Sequence, residues 1–137
     1  MNMKLLVAAA VLGLAMPAGA NPGVTVNIVG IKVQQGAVRV ALFDEAHWTG
    51  APIAVTRTVV TGATATATLA APGPGRYGVK LYHDVNGDGH MATNAFGAPA
   101  EPYGFSNNAV PRFAPPPFAA AAFTVGPDGA VQTIALR

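Results

Sequence analysis

Beyond residue 20 the chain alternates apolar and polar positions in short runs, the period-two signature of strands with one buried face. Val24, Val26 and Ile28 open the pattern and Gly30 stops it. After a turn at Gln34-Gln35-Gly36, Val38, Val40 and Leu42 alternate with Arg39 and Ala41. A run over 53–60 turns at Thr61-Gly62, and 63–69 then alternates alanine with threonine, the threonines on the wet face. A Pro/Gly corner at 70–75 leads to Tyr77, Val79 and Leu81, with His83 continuing that face. Residues 118–125 and 131–136 pair around Gly126-Pro127-Asp128-Gly129. About seven strands result, and no helix is expected. The alanines at 119–122 lie between Pro115-Pro116-Pro117 and Gly126, too short a run to sustain one. The expected core comprises Val26, Val40, Leu42, Tyr77, Val79, Leu81, Phe123 and Val125.

Such a set of strands reads as an all-β fold, a two-layer antiparallel β-sandwich with one long ordered loop. The segment Leu69 to Val79, a leucine closing one strand, a Pro/Gly turn and Tyr77-x-Val79 opening the next, resembles the corner of immunoglobulin-like sandwiches of the transthyretin and collagen-binding B type. No cysteine pair is present, and Trp48, the single tryptophan, falls in a loop, where it reads as a lid on one end of the core or, alternatively, as a stacking surface for a ligand.

Residues 1–20 break the alternation. Lys4 precedes an apolar run from 5 to 16, and Pro17-Ala18-Gly19-Ala20 supplies small residues before a cut, so cleavage after Ala20 is expected. The mature chain, 21–137, is then a single domain, exported to the periplasm or beyond, and its sequence holds no second apolar run long enough to span a bilayer. Only 10% of the 137 residues are charged, against about 25% in an average domain. Without Lys4 the charge is seven basic against six acidic side chains. That balance excludes the clustered basic footprint of a nucleic-acid binder. The absence of cysteine excludes disulfides, thiol nucleophiles and Cys-ligated metals.

More than thirty residues between Leu81 and Phe118 carry no clear strand, and so long a loop in a compact domain is usually functional. Its aromatic residues, among them Tyr82, Phe96, Tyr103, Phe105 and Phe113, require it to pack against the sandwich. Asp84, Asn86 and Asp88, followed by Gly89, have the spacing of the front half of a calcium loop, with the His90 carbonyl as a further ligand. The back half is missing, because Ala92 and Ala95 stand where oxygen ligands belong; Glu101 or Asn94 is left to complete the sphere. The alternative is a Gly-rich turn in which Asp and Asn bond their own backbone. Zinc through His83 and His90 is a lesser alternative to His83 as a histidine at the core edge.

The stretch from His83-Asp84-x-Asn86-Gly87 through Gly97-x-Pro99-x-Glu101-x-Tyr103-Gly104-Phe105-Ser106-Asn107-Asn108 resembles a family of secreted bacterial proteins, domain of unknown function 2141. The early Gly36-x-Val38-Arg39-Val40-Ala41-Leu42-Phe43 and the later 118–123 fit the same pattern. Met91-Ala92 departs from it, where the family offers Leu-Asp, and so lacks an acidic oxygen. The resemblance implies the fold and export, and no activity.

Ser106 is the single serine, and Gly104-Phe105-Ser106-Asn107-Asn108 is not a nucleophile elbow. Arg39 and Lys80 read as charges on a solvated face. Two functions stay open. One is a non-catalytic module binding an extracytoplasmic protein or small ligand through 83–108, with His83, Tyr103, Phe105, Ser106, Asn107, Asn108 and Trp48 as its surface and calcium as its cation. The other is a small hydrolase centred on His83, Asp84 and Ser106.

Overall fold

A computed structural model describes residues 21–91, 93 and 99–137; the expected leader, 1–20, lies outside them, as do Ala92 and 94–98. Among the described residues the chain forms eight strands: β1 (Gly23–Val29), β2 (Ala37–Phe43), β3 (Ala54–Val59), β4 (Ala65–Ala70), β5 (Gly75–Asp84), β6 (Tyr103–Phe105), β7 (Phe123–Val125) and β8 (Ala130–Ala135). A 3-10 turn, Ser106–Asn108, follows β6, and one helical turn, α1 (Phe118–Ala121), precedes β7. One sheet has the order β4-β1-β8; the other has the order β3-β2-β5-β6, with β7 paired to the start of β5.

The inward phase of the alternation builds the core. Val24, Val26 and Ile28 from β1 meet Val38, Val40 and Leu42 from β2, Val79 and Leu81 from β5, and Ile134 from β8, all essentially inaccessible. Burying each such side chain contributes about 1.5–3 kcal/mol. Of the expected core residues only Phe123 is half-buried, packing against the core cluster from outside. The corner between β4 and β5 is closed by the Tyr77 hydroxyl, which donates to the Gly73 carbonyl at 2.7 Å. That bond is the device of a tyrosine corner.

Three details differ from the sequence expectation. First, β1 and β8 run parallel, with Val24 opposite Ala130 and Val29 opposite Ala135. Alternation encodes which face is buried and is silent on strand direction. Second, β6 is an eighth strand inside the long loop, and Gly104 lets it lie against β8. A Cβ there would sit 2.6 Å from Ile134 Cγ2. Third, 118–121 is helical, so the last strand before the 126–129 turn starts only at Phe123. A single turn has no intrinsic stability. It persists because Phe118 and Ala121 are buried on its inner side.

Candidate functional site

The outward phase of the five-stranded sheet forms two rows across the strands. Arg57, Arg39, Tyr82 and Tyr103 are register partners in one row, and Val55, Ala41, Lys80 and Phe105 in the next. Beyond them, Phe43 faces Gly78, and there a second apolar cluster covers the sheet. Asp44 starts the covering loop by accepting the His47 amide at 2.9 Å on its carboxylate. The same carboxylate is held below the usual range by its side-chain bond to His47. This turn delivers Trp48 onto Gly78, where a Cβ would come within 2.7 Å of the indole. Trp48 packs edge-on to Phe43 and Phe118 at 5.6 and 5.7 Å, and its Nε1 donates to the Pro116 carbonyl at 2.8 Å.

The two uncovered rows are the floor of a cleft of about 1200 Å³. One wall carries Met91, Thr93 and Pro99; the other carries Pro111, Phe113, Ala114 and Pro115. Ligand pockets commonly hold about 300–1,000 Å³, so a small organic molecule fits with room to spare. Phe113 on the lip is fully exposed and has φ 64. That left-handed conformation is unfavourable for an aromatic residue, and such strain gathers at ligand clamps.

Three cations reach this floor. The Lys80 ammonium lies 4.5 and 4.4 Å from the Phe43 and Trp48 ring centroids and donates to the Trp48 carbonyl at 2.5 Å. Burial pushes its pKa down. Arg39 donates through Nε to Asp84 Oδ2 at 2.8 Å. That hydrogen bond is the largest cause holding the Asp84 carboxyl below its ordinary range, against its own burial, and it also raises Arg39. Arg57 is exposed and, among the described residues, has no ion-pair partner. No acidic side chain lines the cleft among the described residues. Ala92 and 94–98 carry no charge in the sequence. Burial also raises the Tyr82 phenol, keeping it a neutral donor.

The residues singled out from the sequence divide by place. Tyr103 and Phe105 line the cleft. Trp48, named both as a core lid and as a candidate for the binding surface, is buried in the aromatic cluster and offers no surface. Ser106 is inaccessible, donating to the Ala121 carbonyl at 2.5 Å and accepting the Val79 amide at 2.9 Å. These bonds tie the 3-10 turn to β5 and α1 and do not join Ser106 to His83. His83 is likewise inaccessible, not a surface ligand; its Nε2 donates to the Gln35 carbonyl at 2.6 Å, and Nδ1 has no partner. The carbonyl acceptor places the proton on Nε2. Asn107 and Asn108, both at positive φ, are braces: Asn107 bonds Gln132 and the Ala120 and Ala122 carbonyls, and the Asn108 oxygen accepts the Ala135 amide.

The acidic loop is a turn closed on itself. Asp84 Oδ2 accepts the Gly89 amide at 2.9 Å, Asn86 Oδ1 the Asp88 amide at 3.3 Å, and Asp88 Oδ1 the His90 amide at 2.9 Å. Glu101 accepts the Val85 amide at 2.9 Å. Among the described residues no three His, Asp or Glu side chains converge as a metal cluster. Asp84 Oδ1, though buried, has no hydrogen-bond partner. Arg39, Arg57 and Val55 were not legible as site residues, since outward strand positions read as solvated surface. The available signal was Val55 and Val59 on the same phase as Arg57, apolar side chains on the face away from the core.

The fold and cleft together define a β-sandwich with a ligand-sized hollow on the outer face of one sheet. The family model described as an uncharacterized protein conserved in bacteria, DUF2141, matches residues 26–134, and the chain belongs to that family. No curated protein and no solved structure matches it.

Proposed function

We propose that the chain is an exported, non-catalytic binding module whose ligand surface is the cleft over β2, β3, β5 and β6. The cleft itself carries this reading: its floor, its walls and the exposed Phe113 lip gather uncovered apolar surface, Val55 included, into one hollow of ligand size. The closed hydrogen bonding of Ser106 supports a binding role over hydrolysis, because a nucleophile needs a base within reach of its hydroxyl. The 83–108 segment serves the site as a wall, through Met91, Thr93 and Pro99, and as floor, through Tyr103 and Phe105.

Ala41 lies at the centre of the floor, so Ala41→Phe tests the reading. 1-Anilinonaphthalene-8-sulfonate should brighten on the wild-type protein and lose most of that signal on Ala41→Phe, while both proteins keep a β-type far-UV spectrum. Equal dye binding by the two folded proteins would place the apolar surface elsewhere and end this reading. A bound cation at Asp84, Asn86 and Asp88 is a second reading, favoured by the unpartnered buried Asp84 Oδ1. There a dication would share Asp84 with Arg39.

A further inference from the structure

Arg39 and Arg57 are directly opposite each other on β2 and β3, on the same face of the sheet. Side chains so placed have Cβ atoms about 4.5–5.5 Å apart, and like charges there destabilise the pair. Asp84 answers only part of this, because its one bond to Arg39 goes to Nε and it makes none to Arg57. Arg57 has no counter-charge among the described residues, and no carboxylate lines the cleft. The remaining cation, Lys80, already has the Trp48 carbonyl and two aromatic faces. Arg57, unpaired, therefore stands beside a guanidinium paired through Nε alone, at one row of a largely apolar hollow.

We propose that this cleft takes a single-chain amphipathic anion, an apolar tail ended by one carboxylate-like group. The inference rests on the cleft being the ligand site and names what the site selects. The head bridges Arg57 and the free edge of Arg39, where a planar oxyanion accepts paired N–H bonds. The tail lies along Val55, Ala41 and Phe105, and Phe113 closes over it from the lip. The ligand would thus neutralise the cross-strand repulsion and cover the exposed ring in one event. A flat anionic membrane fits less well, because the guanidinium pair lies on the floor of a walled cleft.

Displacement of the bound dye by dodecanoate, dodecanol and dodecylamine separates head from tail. Dodecanoate should bind about tenfold more tightly than dodecanol, the worth of a charge-assisted hydrogen bond, and dodecylamine more weakly still. Arg57→Gln, an exposed and fold-neutral change, should bring dodecanoate down to the level of dodecanol and leave dodecanol unaltered. Equal binding of acid and alcohol, or an acid affinity indifferent to Arg57→Gln, overturns the anion assignment and leaves the cleft as an apolar site. Binding of none of the three overturns it too. Sedimentation with phosphatidylglycerol vesicles without binding of free dodecanoate overturns it in favour of a membrane surface. Dye binding that Ala41→Phe fails to reduce is the separate outcome that removes the cleft itself.

Discussion

Asp84 is the residue on which the long loop turns. Its inaccessible carboxylate receives the Arg39 guanidinium and the Gly89 amide, and the adjoining Gly36, at φ 70, has room for no side chain, since a Cβ would lie 2.1 Å from the Asp84 carbonyl. The Arg39 hydrogen bond holds its pKa below the unfolded value, which is about 3.9. The sign follows from linkage: the depressed group stabilises the fold fully above that value, and the contribution disappears as pH falls through the lower folded value. Thermal melts should therefore lose stability below about pH 4, and Asp84→Asn should be less stable at neutral pH with a flatter acid limb. An unchanged acid limb in Asp84→Asn would remove the Arg39 bond from the account. From sequence, Asp84 was visible as a turn residue; its partner was not, because Arg39 sits 45 positions away.

At the scale of elements, hydrophobic alternation located β1 to β5 and β8, because each buries one face against the opposite sheet. It missed β6 and α1, whose three and four residues are too few to show a period. It also missed the cleft for a physical reason: a floor of Arg39, Ala41, Lys80 and Tyr82 has the composition of a solvated strand face. Only loop residues brought beside that face, Met91, Thr93 and Pro99 from one segment and Pro111, Phe113, Ala114 and Pro115 from another, turn it into a hollow. The 84–90 turn, legible as half a calcium loop, closes through its own amides. If a cation also binds there, two acidic ligands without a bidentate Glu imply a dissociation constant of about 10⁻⁴ to 10⁻³ M. Calcium at roughly ten times that should then raise the melting temperature by a few degrees, and Asp88→Ala, at an exposed position, should erase the rise. Identical melts in EDTA and calcium would leave the turn as a purely hydrogen-bonded element.

For the whole molecule, the matched family covers residues 26–134, which hold the cleft and all of both sheets except the first three residues of β1 and the last of β8. The leader reading is independent of it and rests on Lys4, the apolar run and Ala18-Gly19-Ala20. Intact-mass measurement of exported protein should show a chain beginning near Asn21, and a chain retaining residues 1–20 outside the cytoplasm would refute cleavage.

The central claim is that the outer face of the five-stranded sheet is where this protein binds. An amide chemical-shift titration of the folded domain with dodecanoate reads that face directly, strand by strand. The account predicts saturable shifts concentrated at Arg39, Ala41, Val55, Arg57, Lys80, Tyr82 and the Phe113 lip, with β1, β4 and β8 quiet. Shifts confined to the β4-β1-β8 sheet or to the Asn107–Asn108 turn, or no saturable shifts at all, would contradict it.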